Sequence, residues 1–322
     1  MYYRRKILLA LLEAFGGSLK NTDCQKLLFL FCSRREKNYY DFFPHKYGNY
    51  SLILAQDKDR LTDLGFLTSH SDFQLKDDRP YIELLTSKDR AILHALVLEI
   101  GDLRGKALIH KTYIEAPHYV SRSQIATQIL QDTEYKKASS TWNKAQTPCL
   151  FTVGYEGVSI DTYLDLLISN NISTLVDVRK NPISMKYGFS KARLASYTTL
   201  AGISYVHIPE LGIPSHLRKN LGNAASYQTL FDFYSSHILP DHLDALKQLK
   251  NIITENGRVA ITCFEADPHF CHRHKVTEYL ANDPDFHTPI EHLHKVSCNT
   301  VDKSNKTQQN GLWDKNALYS SI

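Results

Sequence analysis

Residues 149–179, CLFTVGYEGVSIDTYLDLLISNNISTLVDVR, decide the fold. Leu150-Phe151-Thr152-Val153 is a short apolar run that stops at Gly154, the pattern of a strand buried on both faces. Residues 162–168 carry apolar side chains at helical spacing, and Thr174-Leu175-Val176-Asp177-Val178 is a second β-rich run. Strand, helix, strand in this order predicts a parallel pair joined by a right-handed crossover. Working outward, 203–208 reads as a strand, 243–254 as a helix, 259–264 as a strand and 271–280 as a helix. This alternation predicts an α/β domain with a largely parallel sheet over 149–298.

Upstream the grammar changes. Ile7, Leu8, Leu11, Leu12 and Phe15 recur at helical spacing and end at Gly16-Gly17. A second helix starts at Asn21 or Thr22 and carries Cys24, Leu27, Leu28, Leu30 and Phe31 to Arg34-Arg35. A third carries Leu52, Ile53, Ala55, Leu61 and Leu64 and stops at Gly65. Residues 66–68 and 81–85 read as two strands around a long loop, followed by a helix over 87–98. Three helices and then a two-stranded ribbon is the element order of a winged helix, so residues 1–130 are expected to form an α+β winged-helix domain. Residues 131–148 are polar without a sustained apolar period and read as a linker. Residues 299–322 read as a loose polar tail. No internal repeat is present.

The chain has 322 residues, 43% hydrophobic and 22% charged, enough for about two domains with their own cores. These proportions exclude a disordered tail protein, a collagen-like fibre and a disulfide miniprotein. The net charge of +4 is mild, but it is unevenly placed. Residues 1–147 carry 22 Lys/Arg against 17 Asp/Glu, and residues 148–322 carry 16 against 17, so the front is basic and the back near neutral. No apolar run approaches a membrane span, and the first, 7–12, is too short for a signal peptide. Six cysteines without regular spacing suit unpaired thiols in a reducing cytosol, so a cytoplasmic location is expected.

In open parallel sheets the ligand site lies beyond the carboxyl ends of the strands. Those ends here are Gly154-Tyr155-Glu156-Gly157, Asp177-Val178-Arg179, His207 and Cys263-Phe264-Glu265. Within CFEADPHFCHRH (263–274), Asp267-Pro268 marks a turn that puts Cys271, His272 and Arg273 in the first turn of the next helix. Free amides and the helix dipole there favour an anion, with Arg273 as its ligand, and the same field is expected to make Cys271 more thiolate. Glu265 faces this place as a general acid or base. Alternatively Cys263 is a buried strand residue and Arg273 pairs with Glu265 or Asp267.

Cys263, Cys271, His272 and His274 are metal-ligand types, but no paired CxxC is present, and neighbours at 271 and 272 on a helix point about 100° apart. No metal and no cofactor is therefore expected. The zinc-deaminase pattern and the P-loop are absent, and a phosphatase-like loop fails because His269 stands six residues after Cys263 where Arg would be needed.

A second constellation is DVRKNPISMKYGFSKARL (177–194). Its Arg179, Lys180, Lys186, Lys191 and Arg193 can meet a polyanion, and Tyr187 and Phe189 can stack on a base. Ser190 is the expected N-cap of the following helix. The alternative is a solvated loop packed by Phe189. In the front half, Arg4, Arg5, Arg34, Arg35, Lys37 and Lys46, with Tyr39, Tyr40 and Tyr47, offer a basic, aromatic face for phosphate contacts. A winged helix also serves as a protein-interaction module.

Residues of about 149 to 295 resemble the domain-of-unknown-function family 488 (DUF 488), through TVGYEG at 152–157, LVDVRKNPIS at 175–184, GFSKARL at 188–194, GISYVHIPELG at 202–212 and CFEADPHFCHR at 263–273. The resemblance implies a compact α/β domain. It maps the family's shared polar positions onto Asp177, Arg179, Ser184, Ser190, His207, Glu210, Cys263, Glu265, Cys271, His272 and Arg273. Met185 stands where many relatives carry a basic residue. The family's associations with DNA repair labels and with defence or mobile-element contexts imply nucleic-acid or nucleotide business. FFPHKYGNYS at 42–51, followed by a helix ending DLGFL, resembles winged-helix regions of the YwgA and Panacea type.

The expected protein is thus a winged helix that engages DNA, RNA or a protein partner, joined to an α/β domain that acts on a nucleotide or nucleic-acid ligand. Arg179 and Arg273 clamp the anion, with Ser184, Ser190, His272, Tyr155 and Glu156 around it. Glu265 and His207 handle protons, Cys271 tunes or attacks, and Asp177 completes the set. Two alternatives are a non-catalytic sensor of a nucleotide or modified base, and a thiol switch of Cys263 and Cys271.

Overall fold

Alternation along the strands sorts the apolar side chains of the back half onto two faces of one sheet. The computed structural model describes residues 1–68, 71–218 and 224–293. The expected tail at 299–322, residues 294–298 and Cys298 lie outside these. Helix α1 (Tyr3–Ala14) is followed by β1 (Ser18–Leu19), α2 (Asn21–Ser33), the hairpin β2 (Phe43–His45) and β3 (Gly48–Tyr50), α3 (Leu52–Asp63) and β4 (Phe73–Gln74). Then come α4 (Ser87–Ile100), α5 (Gly105–Glu115), α6 (Ala126–Ile129) and α7 (Asp132–Ser140).

The back half runs β5 (Cys149–Gly154), α8 (Ile160–Ser169), β6 (Thr174–Asp177), α9 (Lys191–Leu200) and β7 (Ser204–His207). It continues with α10 (Ala224–Phe233), a wider turn (Tyr234–Ile238), α11 (Leu239–Asp241), α12 (Leu243–Asn256), β8 (Arg258–Cys263), α13 (His272–Ala281) and β9 (Ile290–Leu293). The sheet has five strands in the order β7-β6-β8-β5-β9, every pair parallel. The α/β expectation therefore holds for this half, and β9 is a strand the sequence reading did not find.

Period two decides the layers. Phe151, Val153, Leu175 and Ala260 pack on one face with Tyr163, Leu164 and Leu167 of α8 and Leu194 of α9. Leu150, Val176, Val259 and Ile261 pack on the other with Leu246, Leu249 and Ile253 of α12 and Val276 and Leu280 of α13. The register pairs Gly154 with Cys263, and Asp177 with both Thr262 and His207. All those chemistry-bearing residues therefore leave the sheet along one edge.

In the front half, β1 pairs antiparallel with β4, and Leu67 bridges Leu75 beside them. The strand expected at 81–85 is instead a single 3-10 turn, Tyr81–Leu84. Tyr81 is its buried residue, Leu85 is buried just after it, and Glu13 accepts the Ile82 N–H at 2.7 Å. The segment expected as linker holds α7, whose start is fixed by a reciprocal capping box between Gln131 and Glu134. Ala138 of α7 and the adjoining Trp142 pack against Ile109, Tyr113 and Val120, so a polar sequence folds onto an apolar satellite core.

The halves share a core. Phe43 and Leu52 of the front half lie in the cluster formed by α8 and the sheet. Buried Asp161, in the first turn of α8, accepts from Ser51 Oγ at 2.9 Å, Leu52 N at 2.6 Å and Ile53 N at 3.1 Å, capping α3 from the other half. Ser159 Oγ donates to Asp41 at 2.7 Å, and His118 pairs with Asp165 at 2.6 Å.

Candidate functional site

Three loops leave the carboxyl edge of the sheet: 155–159 after β5, 178–190 after β6 and 264–271 after β8. Gly154 lets the first and third touch, because a Cβ there would stand 1.8 Å from the Glu265 carbonyl oxygen. Gly212 does the same for the second, where a Cβ would lie 2.2 Å from Lys180 N. Between the loops is a cleft of about 470 Å³, lined by Tyr155, Arg179, Lys180, Asn181, Ile183, Ser184, Met185, Lys186, Ile213, Arg218, Cys263, Phe264, Glu265 and His272.

Arg179, held by buried Asp177, forms part of the wall. Arg179 Nε and Nη2 donate to the two Asp177 oxygens at 2.8 and 2.6 Å, and Tyr205 OH adds a third bond at 2.7 Å. Arg179 Nη1 donates to Tyr155 OH and to Phe189 O, each at 2.8 Å. Burial works against the Arg179 charge, but the Asp177 bonds outweigh it and hold its pKa above the ordinary value. The Tyr155 ring stacks on Phe189 at 4.3 Å. Arg179 is thus a keystone whose donors are largely spent inside the protein.

Arg273 differs from its expected role. It is fully buried, and Nη1 and Nη2 donate to the carbonyls of Glu265 and Ala266 at 2.6 and 2.8 Å. Among the described ion pairs it has no carboxylate partner, and it is not a cleft-lining residue. It holds the 264–271 loop in shape instead of clamping a ligand. Glu156 assists, accepting the Ala266 N–H at 3.0 Å.

The loop held in this way gathers the reactive groups. Cys263 Sγ lies 3.3 Å from Glu265 Oε2 and 3.7 Å from His272 Nδ1, and His272 Nε2 lies 3.2 Å from the Val178 carbonyl. That carbonyl can only accept, so Nε2 carries the proton and Nδ1 presents its lone pair to Cys263. Cys263, Cys271 and His272 are all buried, with their ligand atoms within 4.8 Å of one another.

Cys271 is the extended N-cap of α13 (φ −133°, ψ 136°), not a helical residue, so the helical 100° separation from His272 does not apply. Burial pushes the Cys271 thiol well above its ordinary range, with neighbouring Cys263 adding to the effect, contrary to the thiolate expected from the helix end. Burial also raises the Glu265 carboxyl, but the hydrogen bond to Cys271 and other local bonds outweigh it and leave it below the ordinary value. For His272, burial lowers the pKa and Cys271 with Glu265 more than reverse it.

Of the remaining expected residues, Ser184 lines the cleft, and Ser190 ties its loop by donating to Ser184 O at 3.0 Å without capping α9. His207 is not a cleft-lining residue. Its Nδ1 lies 2.9 Å from Lys191 Nζ and its Nε2 2.9 Å from Arg179 O, so both nitrogens are engaged. Arg218, in the 3-10 turn Ser215–Arg218, lines the cleft and was not anticipated. Its signal was a cation in a region without periodicity, which only folding brings to the site.

The basic residues of the front half are largely paired. Arg4 and Arg5 bond buried Asp57 at 2.5 and 2.7 Å, Arg34 bonds Glu99 and Glu115, and Arg35 pairs with buried Asp89 beside Tyr39. Tyr40 is buried on Asp57. Lys37 and Lys46 are exposed.

Residues 159–280 match the family model described as domain of unknown function DUF488. The DUF488-like segment thus runs from the start of α8 through nearly all of α13, and contains Asp177, Arg179, Ser184, Cys263, Glu265, Cys271 and His272. TVGYEG lies just before the matched span. No curated protein and no solved structure matched the chain. Among the described residues, no helix is long and apolar enough to cross a membrane.

Proposed function

We propose that the DUF488-like α/β unit binds a phosphate-bearing ligand, a nucleotide or an accessible stretch of nucleic acid, in the strand-end cleft and acts on it there. The front half, read as a winged helix, engages nucleic acid or a protein partner. The observation that carries this reading is the lining of one cleft by Lys180, Lys186 and Arg218 together with Ile183, Met185 and Phe264. Ile183 and Met185 are 86% and 106% exposed, an apolar rim beside a cationic wall. A phosphate and a flat base are the two halves of a ligand that such a lining complements. The repair and defence contexts associated with DUF 488 relatives agree with it, and the free cysteines suit a reducing cytoplasm.

The test is a screen of nucleotides and short DNA and RNA oligomers against the whole protein, read by thermal shift and by electrophoretic shift across a salt series. Lys180→Ala with Arg218→Ala is expected to weaken the hits roughly tenfold or more and to flatten the salt dependence, since phosphate contacts release counterions. Glu265→Gln is expected to keep binding and lose turnover. Hits without turnover in the wild type would make the cleft a sensor, and no shift at low salt would end the reading.

A further inference from the structure

Three groups at the cleft floor, Cys263, Cys271 and His272, have the geometry of a metal site, and Glu265 stands beside Cys263. In a tetrahedral zinc centre, bonds of about 2.3 Å to sulfur and about 2.0–2.1 Å to nitrogen or oxygen place a sulfur roughly 3.5–3.6 Å from its neighbouring N or O ligand. Cys263 Sγ stands 3.7 Å from His272 Nδ1 and 3.3 Å from Glu265 Oε2. Cys271 Sγ lies within 4.8 Å of both the Cys263 and His272 ligand atoms.

Two further observations point to a ligand there. His272 has its Nε2 proton held by the Val178 carbonyl, the outer bond that fixes the tautomer and aims the other nitrogen in metal-binding histidines. Arg273 is fully buried, bonds the carbonyl of Glu265 itself, and has no carboxylate partner among the described ion pairs. A lone buried cation is costly unless an opposite charge lies near it. Two thiolates on a dication, with the Glu265 carboxylate beside Cys263, make a net negative centre next to this guanidinium.

We propose that Cys263, Cys271 and His272 bind one zinc ion, with the fourth position left to water or a ligand oxygen beside Glu265. On binding, each cysteine thiol gives its proton to solvent and the imidazole coordinates as the neutral base; no electron is transferred. Cys263 and His272 line the cleft, so the fourth position of the ion faces it and can take water or a substrate oxygen, with the Glu265 carboxylate beside it. The ion would then supply Lewis-acid chemistry at the place assigned to the phosphate-bearing ligand. The binding itself does not rest on that assignment, because it is read with no organic ligand present.

The experiment uses the full-length, untagged protein. Metal analysis after exposure to zinc and desalting is expected to give about one zinc per chain. Cobalt(II) in its place is expected to show thiolate-to-metal charge-transfer absorption. Zinc should protect Cys263 and Cys271 from alkylation, mapped by mass spectrometry, while buried Cys24 and Cys32 are unaffected by it. Cys271→Ser and His272→Ala are expected to lower zinc affinity roughly tenfold or more.

The alkylation and cobalt measurements need only the wild type, so they decide the matter even if a variant fails to fold. A folded wild type that takes up no zinc, a Cys263–Cys271 disulfide in its place, or equal zinc uptake in a folded Cys271→Ser would each overturn the assignment. Zinc uptake with no phosphate-bearing hit in the ligand screen would keep the metal site and remove the proposed substrate.

Discussion

Asp177 and Arg179 stand two positions apart where a strand becomes a loop, so both side chains leave the same face and close on each other as a buried bidentate pair. The pair fastens the wall of the cleft to Tyr155, Tyr205 and Phe189 O. Removing one partner leaves the other charge buried and unpaired, which costs about 3–5 kcal/mol. Asp177→Asn is therefore expected to lower the unfolding free energy by that amount, measured by urea denaturation followed by circular dichroism, and to abolish cleft binding as a consequence. A loss under about 1 kcal/mol would mean that water replaces the carboxylate. At this scale the types of the site residues were legible in the sequence, but their duties were not. Arg273 looked like an anion ligand because it follows a turn; its guanidinium is consumed by two backbone carbonyls that a sequence does not bring into view.

At the scale of elements, Asp161 links two helices. It sits in the first turn of α8 and caps the start of α3, where free N–H groups and the positive end of the helix dipole favour a carboxylate. Burial is the stronger influence and pushes its carboxyl from an ordinary 3.8 up to about 7. A carboxyl with a raised folded pKa binds its proton more tightly in the folded chain than in the unfolded one. The stabilising contribution is therefore full below about pH 4, is lost as pH rises to about 7, and is level above that. Against an Asp161→Asn variant, the wild type is expected to lose up to about 4 kcal/mol across this window in pH-resolved urea unfolding. A difference between the two that does not vary with pH would show the carboxyl to be ionised throughout. Elements with a strong period were legible: α1, α2, α3, α8, α12 and the central strands match their expected places. Elements held by tertiary partners were not, such as the turn at Tyr81, which Glu13 supports, and α7, which docks polar sequence on Tyr113 and Val120.

At the scale of the molecule, the two halves are joined by more than a connecting segment, because Phe43 and Leu52 are buried in the core of the sheet domain. Phe43→Ala is expected to cost about 3–5 kcal/mol and to destabilise both halves together. Hydrogen exchange in rising urea would show this as simultaneous loss of protection in α1, α2, β5 and β8. If α1 and α2 kept their protection while the sheet lost it, the halves would be separate folding units. The α/β alternation, the parallel sheet and the edge at which its polar residues collect are legible in the sequence, because apolar period and the succession of elements along the chain are local properties; the order of strands within the sheet, and β9, are not. Tertiary structure alone decided which charges are spent and which face the cleft. Arg4, Arg5, Arg34 and Arg35 are absorbed by carboxylates from other elements, whereas Lys180 and Arg218 line a cleft containing Glu265. The physical reason is that a charge takes its role from whichever partner folding brings within a few ångströms, and those partners lie tens of residues away along the chain.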